Sequence, residues 1–444
     1  MILCTGLFLA SVAAVLALGR SLLWALLVGL ALFSLLGLRR GFSPRTLAAM
    51  AWRRGREALI VLPVLLLIGT VTALWRACGT ISFFLYTGLR SIPPHWFLLM
   101  AFLLTAALSA MLGTSFGVTG TAGVVLLALA RSGGVPVPLA AGAVLSGAYF
   151  GDRCSPMSSC AALVAACTGT ELYTNVWHML RTAVLPTALS AAFYGVLSLR
   201  APLNGVSDGV LRALREGFTL SWPVVVPAVL MLALPLLRVP VKAAMAASAG
   251  AALALAVGMQ HLPAAEALRA ALLGYVPAGG SLSRILAGGG VVSMLPSCGV
   301  VLVTSLYTGI LEGIGALTPL RSGAERLAKR LGLFPAAALV SAAGAMLLCN
   351  QSAMILLDAQ LLAPSYACRG RSRTELALDI ANSGVTIAGL VPWSIAQSIP
   401  LAMLGAGVGA VPYAVLLYLI PLCYLFTKPH FASAQNPGVS VSPH

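Results

Sequence analysis

Long apolar runs, separated by short clusters of arginine and other polar residues, govern the chain from end to end. Leu3–Leu18, Leu22–Leu38, Leu59–Leu74, Trp96–Leu112, Leu180–Leu197, Trp222–Leu237, Val241–Val257, Pro335–Leu348 and Ala410–Phe426 carry almost no charge. Each reaches or approaches the ~20 residues that a helix needs to cross ~30 Å of hydrocarbon. Further apolar regions are interrupted by Gly, Pro, Ser and Thr. The pattern predicts an all-α polytopic membrane protein with about ten to thirteen membrane segments, some of them discontinuous.

Composition agrees with the pattern. Of 444 residues, 59% are hydrophobic and 9% charged, against about 25% charged in a soluble globule. The net charge of +16 does not point to nucleic acid, because a nucleic-acid binder gathers its basic residues into one stripe on a polar surface. Here they lie in loops. Arg39, Arg40, Arg45, Arg53, Arg54 and Arg56 fall between two apolar spans, and the positive-inside rule assigns that loop, and with it the amino terminus, to the cytoplasm. Met1–Leu18 lacks the basic start of a signal peptide and reads as a retained membrane helix. The nine cysteines are scattered without a CxxC pair and the five histidines are isolated. No catalytic triad order, phosphate-binding loop or HExxH is present. Nothing suggests an enzyme, an ATP-driven pump, a resident metal or a cofactor.

Three interrupted stretches offer polar chemistry inside this apolar background. The first, GTSFGVTGTAG at 113–123, brings hydroxyls from Thr114, Ser115, Thr119 and Thr121 that can replace a cation's water shell, or else marks helix packing through small residues. The second, SGAYFGDRCSPMSSC at 146–160, holds Asp152. A carboxylate at membrane depth costs ~2.5–3.5 kcal/mol and marks an ion or proton path when it faces a cavity or partner. A salt bridge to Arg153 or a place at the membrane surface are its other readings. The third part comprises LLCNQSAMILLDAQ at 347–360 and ANSGVTIAGLVPW at 381–393. There Asn350, Gln351, Asn382, Ser383 and Thr386 supply neutral oxygens, or interhelical hydrogen bonds. Asp358 and Asp379 are the other acids near these breaks, and either can equally sit at a cytoplasmic helix end beside Arg369, Arg371 and Arg373.

ACGTISFFLYTG at 77–88 and SCGVVLVTSLYTG at 297–309 share a Cys-Gly pair followed by Leu-Tyr-Thr-Gly. Internal repeats of this kind build many secondary transporters, with the substrate held where broken helices of the two halves meet. The chain divides accordingly: an amino-terminal helix pair with its basic loop (1–57), a first repeat (58–199), a connecting region with two helices (200–275), a second repeat (276–427) and a polar tail (428–444), expected to be disordered over AQNPGVSVSPH. Basic clusters at 321–330 and 369–373 flank the apolar residues 334–364. Charge on one side at both ends predicts a re-entrant hairpin with its tip at Asn350–Gln351, facing Asp152.

The combination GTSFGVTGTAGV, SGAYFGDRCSPMSS, NVWHML and SGVTIAGLVPW resembles the NhaC family of Na⁺/H⁺ antiporters, over about residues 58–426. The resemblance implies two inverted repeats with re-entrant hairpins and sodium-for-proton exchange in a bacterial inner membrane; some relatives exchange organic anions or amino acids. The chain also departs from the family pattern. Ser159 stands where an aspartate is expected, Ala381 and Asn382 replace a Glu-Asp pair, and Asn350 is a further position for a lost acid. Asp152 alone of the motif acids survives.

Two mechanisms follow from this set. In one, Asp152 exchanges a proton for a cation such as Na⁺, with Thr114, Ser115, Ser155, Ser159, Asn350, Gln351, Asn382, Ser383 and Thr386 completing the binding shell. In the other, loss of the acids leaves a carrier of a small organic anion or amino acid with sodium coupling weakened or lost. A sensor or scaffold has no soluble output domain here to serve it. The sequence leaves the oligomeric state open, a homo-oligomer included.

Overall fold

A computed structural model describes residues 2–435 apart from 19–20, 92, 204–207, 238, 278–285 and 317. Residues 436–444, most of the stretch expected to be disordered, lie outside the described residues. Helix follows helix throughout, and no strand longer than an isolated bridge between Tyr275 and Gly288 occurs among the described residues. Among the described residues, five helices are long and apolar enough to cross a bilayer, two bent helix pairs have the length and composition of a broken span or a re-entrant loop, and five more apolar helices are shorter. The protein is an all-α, multi-pass membrane protein.

The amino-terminal pair, α1 (Ile2–Ala17) and α2 (Leu22–Arg39), precedes the 34-residue α3 (Pro44–Ala77). Gly79, at φ +85°, lets the chain turn by 65° into α4 (Thr80–Ser91). Next come α5 (Phe97–Leu112), the short α6 (Ser115–Val118), a π turn over Thr119–Gly123, and α7 (Val124–Ser132). The remainder of this half is α8 (Val137–Cys154), α9 (Ser159–Thr168) and α10 (Leu172–Arg200). The connecting region contributes α11 (Asp208–Gly217), α12 (Val226–Leu236), α13 (Val241–Gly258) and α14 (Ala264–Leu273). The second half runs through α15 (Val291–Gly313), the polar α16 (Thr318–Leu331), α17 (Leu333–Leu348), α18 (Gln351–Ala367), α19 (Arg373–Ile387), α20 (Ile395–Leu404) and α21 (Val415–Gln435).

The amino-terminal pair is seated on the second half. Phe8, Phe33 and Tyr307 of α15 form one aromatic cluster with centroids 5.5–5.7 Å apart, and Arg54 of α3 grips Glu312 with two bonds of 2.7 and 2.8 Å.

Two chain reversals share one local design. At Leu112–Ser115, Gly113 is left-handed and Thr114 extended, its hydroxyl accepting from the Gly117 amide. At Leu348–Gln351, Cys349 is left-handed (φ 53°) and Asn350 extended, its side-chain oxygen accepting from the Ser352 and Ala353 amides. Farther on, Ser158 and Ser394 are extended residues opening α9 and α20 at the same interval from each reversal. The stretches 77–88 and 297–309 behave differently, since Cys78 sits at the α3–α4 bend while Cys298 lies inside the continuous α15.

The second reversal makes a helical hairpin. Ser341 meets Asp358, and the α17 backbone at Gly344 lies beside Met354 and Leu357, so α17 and α18 run antiparallel. The chain on either side of the hairpin also meets, because Arg369, just after α18, donates at 2.5 Å to the carbonyl of Ala328 in α16, just before α17. The segment therefore begins and ends on one side of the molecule.

Candidate functional site

Asp152 sits in the last turn of α8, where the helix backbone presses against α5. A Cβ on Gly151 would come within 2.0 Å of the Ser109 carbonyl oxygen and one on Gly147 within 2.5 Å of the Phe102 carbonyl oxygen, so only glycine fits at either position. The Ser109 hydroxyl donates to the Ala148 carbonyl across this contact. Asp152 is 5% exposed, and among the described residues no basic side chain pairs with it.

Three helix starts converge on its carboxyl. Ser115, the first residue of α6, presents its backbone amide and hydroxyl, and Gln351, the first residue of α18, presents its side chain. The Cys160 thiol, in the first turn of α9, lies 3.8 Å from Asp152 Oδ2 and donates to Gln351 Oε1 at 3.3 Å. Gln351 Nε2 donates to the Val385 carbonyl at 2.9 Å, which ties the hairpin tip to α19. The positive ends of helix dipoles favour a negative charge at such a point.

The next residue faces elsewhere. Arg153 is fully buried and donates to the Thr182 hydroxyl at 2.6 Å, to the Asn382 side-chain oxygen and to the Cys154 sulfur. Among the described residues it pairs with no carboxylate, and its Nε and the Asn382 Nδ2 are buried without partners.

Two further acids lie in the interior, neither of them at an exposed helix end. Asp358, with no exposed surface, has Ser341 Oγ 2.6 Å from its Oδ2, while its Oδ1 is buried and unpartnered. Ser341 Oγ is also 3.1 Å from Ser383 Oγ, which donates to the Asp379 carbonyl at 2.7 Å. The Asp379 carboxylate is held by Lys428 and Tyr366, and by Tyr424 at 2.9 Å; Lys428 also reaches Glu375 at 3.0 Å. Lys428 therefore belongs to α21 and its packing, although the sequence suggested the start of a tail.

The expected binding residues separate into three groups. Ser115, Gln351 and Asp152 come together, and Asn382 and Ser383 lie on α19 beside them, facing Arg153 and Ser341 respectively. Thr114 and Asn350 serve as helix caps, Ser155 accepts from the Met157 amide at 3.1 Å, and Thr386 bonds back to the Asn382 and Ser383 carbonyls. Ser159 is exposed in the first turn of α9. Thr119 and Thr121 donate to the carbonyls of Ser115 and Gly117 in their own helix. Arg153, Thr182, Cys160, Ser341 and Asp358 also contribute to this polar interior and were not among the expected binding residues; charges inside otherwise apolar stretches were the available signal for Arg153 and Asp358.

The sequence profile of the Na⁺/H⁺ antiporter family matches residues 2–169 and 147–428. This chain belongs to that family. A Na⁺/H⁺ antiporter of Haemophilus influenzae, described as uncharacterized, is 28% identical over 374 residues, 81% of this chain and 79% of its own. The malate-2H⁺/Na⁺-lactate antiporter of Bacillus subtilis is 28% identical over 377 residues, 83% and 81% of the two chains. The Na⁺/H⁺ antiporter NhaC of Alkalihalophilus pseudofirmus is 27% identical over 365 residues, 81% and 79%. The antiporter's departures from the family pattern now have places. Ser159 is exposed, Ala381 is buried in α19, and Asn382 faces a buried arginine.

Proposed function

We propose that this antiporter exchanges protons for a monovalent cation around Asp152, in a bacterial inner membrane with the amino terminus in the cytoplasm. One observation carries the reading: a buried carboxylate without a basic partner lies where the first residues of α6 and α18 meet, each just after a break in the chain. An isolated charge in such a place is costly. A proton or a cation relieves that cost, and only one of them at a time fits a single carboxylate. The breaks matter because helix starts and unwound backbone supply the polar groups for an ion in transit. Binding in turn from each side then gives exchange with no covalent step.

Arg153 favours a second reading, in which the cargo is a small organic anion. Its guanidinium is buried and faces Asn382, at a position where the family resemblance leads one to expect an acid. A relative named as a malate and lactate antiporter makes carboxylates the class to try. Everted vesicles carrying a pH-sensitive dye test both readings: Na⁺, Li⁺ and K⁺ are added first, then small carboxylic acids. Cation-induced proton movement supports the first reading, and movement seen only with an organic acid supports the second.

A further inference from the structure

Beyond the Asp152 site, the close oxygen contacts around Asp358 outnumber the hydrogens that its neighbours supply. Four oxygens stand in line: Asp358 Oδ2, Ser341 Oγ 2.6 Å away, Ser383 Oγ 3.1 Å further, and the Asp379 carbonyl another 2.7 Å on. Three contacts need three hydrogens. The two serines own one each, and the carbonyl has none. If Asp358 is a carboxylate, Ser341 donates to it, Ser383 donates to the carbonyl, and the contact between the serines is two oxygens with no hydrogen. If Asp358 carries a proton on Oδ2, it donates to Ser341, Ser341 to Ser383 and Ser383 to the carbonyl, and every contact is filled in one direction. The neutral form also leaves the unpartnered, buried Oδ1 as a carbonyl oxygen, which is far cheaper to bury than half of a carboxylate.

We propose that Asp358 is a second proton-binding site of the antiporter, occupied in this conformation. The ligand is a proton, because the oxygens gathered here, two hydroxyls and the carboxyl itself, are too few for a metal cation's shell. Loading takes one proton from water onto Oδ2 and leaves a neutral acid; unloading returns it and leaves a carboxylate, which must then gain water or a cation. That gain requires α17–α18 to part from α19, so occupancy is linked to the packing of the hairpin.

The surroundings leave Asp358 without a competing charge. The α17 helix offers Ser341 and no titratable group at this level. On α19, Asp379 turns its carboxylate to Lys428, Tyr366 and Tyr424, with Glu375 beyond it on the same lysine. Cys160 of α9 is engaged with Gln351. Glu325 and Lys329 of α16 lie beside Ser365 and Cys368, near the other end of α18.

Infrared difference spectra of the purified full-length protein test the site, and proton flux in proteoliposomes tests its role. Near neutral pH the wild type is expected to show a protonated carboxyl C=O band that persists in Asp152→Asn and disappears in Asp358→Asn. Ser341→Ala should keep the band and shift it, which guards against an Asp358→Asn protein that fails to fold. Asp358→Asn should still transport, with a pH profile flattened relative to wild type. The idea rests partly on the exchange reading above, and the two fail separately: a wild-type band without any proton flux defeats the exchange reading and supports a proton at Asp358. A band unchanged in Asp358→Asn, or a lost band with an unaltered pH profile, overturns the proposal.

Discussion

Charged residues in this protein behave according to what faces them. Lys428 holds two carboxylates, of Asp379 and Glu375, that are themselves almost wholly shielded from solvent. Removing one partner of a buried pair typically costs ~3–5 kcal/mol because the other charge is stranded. Lys428→Met should therefore lower the midpoint of thermal unfolding in detergent, and adding Asp379→Asn should recover part of the loss. If the double variant is less stable than the single one, the network is not held by charge. Gly151 sets a steric limit rather than an electrostatic one. A methyl group there meets the backbone of Ser109 and Ala110 at 1.9–2.3 Å, and backbone cannot swing aside as a side chain can. Overpacking costs ~1–3 kcal/mol or more, so Gly151→Ala should be destabilised and should displace Asp152 from Ser115, with a loss of transport larger than the loss of folded protein. Wild-type activity in Gly151→Ala would show that the approach of α5 to α8 is not needed.

The hairpin α17–α18 is the element on which the site depends most. Its tip is made by Cys349 in a left-handed conformation and by Asn350, which satisfies two amides that the start of α18 leaves free. Loss of such a cap costs about 1 kcal/mol, so Asn350→Ala should lower stability by that order, while Asn350→Asp or Asn350→Ser should retain most of it. A cost near zero in the alanine variant would mean that the cap is filled by water. The break was legible in the sequence because Asn350 and Gln351 interrupt an apolar run with arginines at both ends. Which of the two residues turns toward Asp152 was not legible. Adjacent residues of a helix point about 100° apart, so one caps the helix while the next reaches Asp152. The same turn explains why Arg153, read as the neighbour and possible partner of Asp152, faces α10 and α19 instead.

At the scale of the molecule, composition and the spacing of apolar runs were enough for the fold class, since hydrocarbon leaves few other structures available. The interior acids were harder to find. Asp358 and Asp379 lie close in sequence to Arg369, Arg371 and Arg373, and sequence distance does not say that α18 and α19 turn both carboxyl groups inward. The contact of Arg369 with the Ala328 carbonyl puts the two basic clusters on one side. Lys329→Cys and Ser372→Cys, at exposed positions in a cysteine-free background, should both resist an impermeant maleimide in intact cells and both react in everted vesicles. Labelling of one alone from outside would contradict the hairpin. Proton movement in proteoliposomes under an imposed cation gradient is the decisive measurement for Asp152. Wild-type protein should show cation-dependent proton flux and Asp152→Asn none, although its amide has nearly the same volume and its expression should be near normal. Flux at the wild-type rate, with unchanged pH dependence, in a folded Asp152→Asn protein would leave Asp152 without a part in exchange.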